Sequence, residues 1–259
     1  MNKTALVTGA ATGLGLELAL LLAKDSFNLI LIDIDAVNLE KAKLQITSLH
    51  DIEVILLVKD LCLPNIAEDI FAEMSSPIDV LINNAGFGLF GSFSNTDWNR
   101  EMEMLQLHVI TTTQLTKLLL PDMIERGSGK ILNLSSLAAF QPGPLMSLYY
   151  ASKAYILSFS EAIANELKGT GVTVTALCPG PTRTSFQSTV SDSSADNKIG
   201  FNMACPKQVA LYGYKAMHKG RIVAIPGMFN KFLSILPRVF TRKRATSIVR
   251  IIQEKNRND

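Results

Sequence analysis

The chain has 259 residues, of which 47% are hydrophobic and 19% charged, and its formal net charge is +2. That balance excludes a disordered chain, which lacks the apolar surface to offset its ordering entropy, and gives no field that would draw nucleic acid as the main partner. Three scattered cysteines, Cys62, Cys178 and Cys205, lack the spacing of a metal or redox pair, so they read as reduced core residues and no metal site is expected.

Met1-Asn2-Lys3 passes directly into a first strand at 4–8, which leaves no room for a signal peptide, and the apolar run 18–23 is too short to cross a bilayer. The expected location is cytoplasmic. Further β-rich runs fall near 28–33, 53–58, 78–83, 129–135, 172–177 and 221–225, with segments of helical length between them. Parallel strands need long crossovers, and helices that cover the sheet on the way back supply them. The expected fold is α/β, a doubly wound, Rossmann-like parallel sheet. It forms one domain over 1–225, with 226–259 as a basic C-terminal extension of the same domain. The polar stretch 188–197 follows the sixth strand, at the sheet edge where such folds bind ligands, and reads either as a substrate lid or as a surface loop.

After the first strand comes Thr8-Gly9-Ala10-Ala11-Thr12-Gly13-Leu14-Gly15, then a helical run to Lys24. Glycines at a strand-to-helix junction permit a tight turn and let helix N-terminal N–H groups approach a pyrophosphate, whose charge the helix dipole favours. Thr8, Gly9, Thr12, Gly13, Leu14 and Gly15 are therefore candidate cofactor contacts. The second strand ends on Asp33, eighteen residues beyond Gly15. A carboxylate there accepts hydrogen bonds from both adenosine-ribose hydroxyls and repels a 2′-phosphate. Neither Thr12 nor Ile34 is basic, so NAD is expected over NADP; the competing reading makes Asp33 a cap for a helix beginning near Ala36.

Asn83-Asn84-Ala85-Gly86 follows the fourth strand and alone would read as a turn. Together with Thr8 to Gly15, it resembles the single-domain short-chain dehydrogenases/reductases. The resemblance implies an NAD(H)-binding oxidoreductase with Asp60 and Leu61 at the adenine, and with Asn83, Ala85 and Gly86 steadying the sheet edge and lining the cofactor site. Cys178-Pro179-Gly180-Pro181-Thr182-Arg183-Thr184 is similar to the family's P-G-x-x-x-T segment. By that likeness Pro179 and Gly180 shape the nicotinamide pocket, Thr182 lies beside them and Thr184 holds the carboxamide.

The fifth strand runs into Ser135-Ser136, and thirteen residues after Ser136 stands Tyr149 in Tyr149-Tyr150-Ala151-Ser152-Lys153. The spacing puts Tyr149 and Lys153 on one helix face and leaves Tyr150 off it. Reducing a carbonyl by hydride requires a proton for the developing alkoxide, and oxidation requires a base for the alcohol proton. Free tyrosine titrates near ~10, and a lysine ammonium with the oxidised nicotinamide's charge would lower that value. Ser136 is expected to hold the substrate oxygen. By the resemblance, Tyr149 and Lys153 also border the cofactor, with the ammonium at the nicotinamide ribose. In the family a helix before the serine strand carries an asparagine that supports a water-mediated proton relay to the lysine. The matching place here is His108. Two readings stand: His108 joins the relay and adds a titration near ~6.5, or it is a packed core histidine.

From Pro226 to Asp259 eight basic residues stand against two acidic ones, interleaved with Phe229, Phe232, Leu233, Ile235, Leu236, Val239 and Phe240. This amphipathic segment reads as a contact for an anionic membrane surface, a cover for a subunit interface or the substrate mouth, or a solvated helix. The leading functional expectation is hydride transfer between NAD(H) and a secondary alcohol or ketone, by a homodimer or homotetramer acting on a small molecule. Phe87, Phe90, Phe140, Leu148, Phe186 and Phe201 favour an apolar substrate. The alternatives are a non-catalytic NAD(H) sensor and a nucleotide-sugar epimerase or dehydratase, the latter disfavoured by the glycine spacing.

Overall fold

A computed structural model describes residues 2–183 and 203–258 of the chain. Seven strands form one parallel sheet: β1 (Thr4–Thr8), β2 (Asn28–Asp33), β3 (Val54–Val58), β4 (Val80–Asn83), β5 (Gly129–Leu134), β6 (Val172–Leu177) and β7 (Val223–Ala224). Their order is β3-β2-β1-β4-β5-β6-β7, every neighbouring pair being parallel. The expected doubly wound α/β sheet is therefore present. Its last strand is shorter than the run 221–225 suggests, because only Val223 and Ala224 find register partners, at Ala176 and Leu177 of β6.

Helices α1 (Gly13–Lys24), α2 (Ala36–Thr47), α3 (Ile66–Ala72), α4 (Trp98–Leu105), α5 (Thr112–Glu125), α6 (Ser147–Glu166) and α7 (Pro206–His218) connect the strands. Strand side chains alternate between two cores. Ala5, Val7, Leu29 and Leu31 pack with Leu18 and Leu22 of α1 and with Met217 of α7, whereas Leu6, Ile30 and Ile32 pack with Ile70 of α3 and Leu115 of α5. Burial on both faces is why these strands read as continuous apolar runs. Among the described residues no helix is long and apolar enough to cross a membrane.

Three features position the site. A wider, π-helical turn, Gln106–Thr111, joins α4 to α5; such turns recur at functional places. A buried polar ladder crosses the sheet: Asn83 donates to Asn133 at 2.9 Å, and Asn133 donates to Ser160 of α6 at 2.9 Å. Finally, the segment after β7 forms two helices, α8 (Met228–Val239) and α9 (Arg242–Asn258). No fold signal in the sequence separates these helices from a solvated tail, and in the structure they pack over the carboxyl edge of the sheet.

Candidate active site

The strand order reverses between β1 and β4, which opens a crevice at their carboxyl ends. There lies a cavity of about 810 Å³. At one end it is lined by Gly9, Thr12, Gly13 and Leu14, then by Asp33 and Ile34, and by Asp60 and Leu61. Ala85 and Gly86 form its middle, and Ser136, Tyr149, Lys153, Pro179, Gly180 and Thr182 its chemical end. Thr184, Phe186, Phe201 and the stretch 188–197 lie outside the described residues.

The glycine turn is held from behind. Thr8 is 2% exposed and does not line the cavity; its hydroxyl donates to Ile82 O at 3.3 Å and accepts from the Asn84 and Ala85 N–H groups at 3.0 and 3.1 Å. Asn84 Nδ2 donates to Thr8 O at 2.9 Å and Gly9 O at 3.0 Å. Gly15 also lies behind the turn, where a Cβ would stand 1.9 Å from Gly9 O. Asn83 points away from the cavity, into the polar ladder, so Asn84 takes the lining place given to Asn83 on sequence. The two amides alternate across the strand end, and a strand's period of two sends them to opposite sides.

Asp33 lies at the end of β2, where Oδ2 accepts from Ala11 N at 2.9 Å and Oδ1 from Asp35 N at 3.0 Å. It is not the cap of α2: Asp35 is, accepting from Asn38 N at 3.0 Å. Asp60 Oδ1 accepts from Cys62 N at 2.9 Å, which fixes the loop after β3.

At the chemical end, a hydrogen bond joins Ser136 to the Tyr149 phenol. Lys153 Nζ donates to Leu134 O at 3.0 Å and stands 5.8 Å from the Tyr149 ring centroid. Ser135 Oγ donates to Lys153 O at 2.9 Å, a tie between β5 and α6 that the sequence offered no means of assigning.

A family model described as short chain dehydrogenase matches residues 3–195. The chain belongs to the short-chain dehydrogenase/reductase family. The chain is 33% identical over 218 residues to a ketoacyl reductase, HetN, of Nostoc sp., across 83% of this chain and 75% of that protein. It is 32% identical over 192 residues to a very-long-chain 3-oxoacyl-CoA reductase of Anas platyrhynchos, across 69% of this chain but 59% of that protein. Among solved structures it resembles a short-chain dehydrogenase from Sphingobium yanoikuyae in complex with NADPH, with a TM-score of 0.78, 26% identity, and coverage of 87% and 88% of the two chains. Members of the family are oxidoreductases that bind NAD or NADP.

The chain's own residues fit such a cofactor. The first N–H groups of α1 have no intrahelical acceptors, and Gly13 and Leu14 present that helix end to the cavity, with positive φ at Gly9 (+64°) and Gly13 (+60°). When bound, the nicotinamide supplies or accepts the hydride.

The protonation of the chemical end differs from the sequence expectation. Burial pushes the Tyr149 phenol up to about 12, and the Ser136 hydrogen bond offsets only part of that. Burial also brings the Lys153 ammonium down to about 7. His108 is 1% exposed, lies outside the cavity lining, and is held well below the usual imidazole range by burial first and the Lys153 charge second. The expected titration near ~6.5 is thus overturned: the imidazole stays neutral. Its Nδ1 lies 2.9 Å from Ser152 Oγ, whose hydroxyl donates to Tyr149 O at 2.8 Å, so Nδ1 is the protonated nitrogen. Nε2 is then an acceptor, with no partner among the described residues. A Cβ at Gly86 would stand 2.6 Å from that nitrogen and 3.5 Å from Lys153 Nζ, which places the two nitrogens on the same side of the Gly86 backbone.

The apolar lining also differs from the expectation. Phe87 borders the cavity, with the Arg100 guanidinium 4.5 Å over its ring, but Phe90, Phe140 and Leu148 do not. Leu233, Leu236 and Phe240 supply the wall from α8 and its end, and Ile248, Val249 and Ile252 from α9. Gln253 Nε2 donates to the Tyr150 hydroxyl at 2.8 Å, joining α9 to the residue beside Tyr149.

Proposed function

We propose that this chain transfers hydride between NAD(H) and an apolar ketone or its secondary alcohol, with substrates of the 3-oxoacyl class preferred. One observation carries the reading: Ser136, Tyr149 and Lys153 meet in a single cavity between a glycine-turned helix end and a wall of aliphatic side chains. The names of the relatives, a ketoacyl reductase and a 3-oxoacyl-CoA reductase, support the substrate class.

In this reading Tyr149 keeps its proton at neutral pH and gives it to the substrate oxygen as alkoxide develops. Ser136 holds that oxygen, and Lys153, while protonated, stabilises the phenolate left behind. His108 is a positioning residue: its Nδ1 proton holds Ser152, and its Nε2 lone pair keeps an acceptor near the ammonium. Asp33 favours NAD. Monitoring NADH oxidation across 3-oxoacyl thioesters of increasing length and small polar ketones tests the proposal. Rates that rise with chain length support it, and turnover restricted to small polar ketones, or none with any carbonyl, overturns it. Absence of all turnover with intact NADH binding would establish the sensor reading.

The pH profile follows from the same groups. Lys153 has a lowered pKa, so its ammonium is present below about 7 and lost above it. Ketone reduction is expected to fall as pH rises through that value. His108→Asn is expected to leave the profile unchanged near pH 6.5, because the neutral imidazole does not titrate there. An acid limb in the wild type that disappears in the variant would refute this.

A further inference from the structure

Helices α8 and α9 carry two apolar surfaces, and the cavity uses only one. Leu233 and Leu236 turn inward, whereas Met228, Phe232 and Ile235 recur at i, i+4 and i+7 on another side of α8 and are exposed, Met228 to 80% and Phe232 to 60%. Phe229 stands exposed beside them, and Ile251 is exposed on α9. A merely solvated helix keeps large apolar groups off its water face, so a contiguous apolar stripe with a polar rim marks a contact surface.

The rim here is basic. Lys231 flanks the stripe, and Arg242, Lys243 and Arg244 open α9, all exposed. Among the described residues of this cluster only Arg250 pairs with a carboxylate, Glu254, at 2.8 Å. Residues 226–259 sum to +6, which leaves −4 on the rest of the chain. A second copy docked on the same face would set one positive cluster against another. An anionic lipid surface offers what both features require, acyl chains for the phenylalanines and headgroup charge for the bases.

We propose that the outer face of the α8–α9 pair docks on an anionic lipid bilayer. Ile248 and Ile252 both line the cavity and remain 43% and 50% exposed, so they form the rim of its mouth on the docking helix. An apolar substrate then enters from the bilayer without crossing water. That delivery clause rests on the apolar-substrate reading above; the docking does not.

The test is cosedimentation of the full chain with phosphatidylcholine vesicles, with and without phosphatidylglycerol, alongside NADH turnover and light scattering. The full chain is expected to sediment with the anionic vesicles only and to be released by salt. Lys243→Glu/Arg244→Glu is expected to lower the partition coefficient by at least about thirtyfold. Phe229→Ser/Phe232→Ser should lower it by at least about tenfold, and both variants should keep the wild-type thermal midpoint and NADH affinity. Absence of sedimentation, or sedimentation indifferent to both pairs of substitutions, overturns docking. Self-association that the serine variant dissolves, without vesicle binding, identifies an interface between copies and overturns it too. An active enzyme that ignores vesicles refutes docking alone, and an inert chain that binds them refutes the catalytic reading alone.

Discussion

Replacing Tyr149 by Phe is expected to lower NADH-dependent ketone reduction by about 10²–10⁴-fold, the range one positioned proton donor supplies. The ring itself is a packing element, 6.1 Å from the imidazole of His108 and 6.1 Å from the ring of Tyr150, and phenylalanine preserves those contacts. Only the hydroxyl and its bond to Ser136 are lost. Because the glycine turn and Asp33 lie at the other end of the cavity, the dissociation constant for NADH should stay within a few fold. Steady-state rates and a fluorescence titration of NADH separate the two effects. A Tyr149→Phe enzyme with near-wild-type turnover would remove this phenol from the reaction.

NADH is expected to bind more tightly than NADPH, by at least ~10²-fold, since a charge pair near 4 Å at an effective dielectric of about 20 repels by about 4 kcal/mol before solvent screening. Each Asp33 oxygen already accepts one backbone N–H, from Ala11 or Asp35, and retains a lone pair for a ribose hydroxyl. Asp33→Ala/Ile34→Arg should bring NADPH to parity or better. Asp33→Asn is the control, because it keeps an acceptor for Ala11 while removing the charge. Equal dissociation constants for the two cofactors in the wild type would refute the assignment, and the NADPH-bound relative makes that comparison necessary.

Much of this architecture was legible before any coordinates. Strands buried on both faces announce themselves as apolar runs, so β1 and β2 fall where the sequence puts them, and the glycine turn follows from its place after β1. What escaped depends on the third dimension. Adjacent asparagines 83 and 84 look alike in sequence, yet the strand's alternation sends one to the ladder and the other to the cavity. The π-helical turn at 106–111 has no compositional sign and orients His108. The apolar wall comes from residues 233–252, some eighty or more positions beyond Tyr149, and such a long-range contact leaves no periodic trace near the chemistry. The Tyr149 shift likewise follows from its surroundings, which the Y-x-x-x-K spacing does not describe.

The ladder from Asn83 through Asn133 to Ser160 sets the axial datum of α6. Ser160 lies seven residues, two turns, beyond Lys153, so it shares that residue's side of the helix. Sliding α6 by one turn would carry the phenol about 5.4 Å along the axis. The same slip would strand the amide of Asn133 in the apolar interior, at a cost of about 1–3 kcal/mol. Alignment of proton donor and serine is thereby gauged against the two central strands, and the surrounding loops can vary without shifting its zero point.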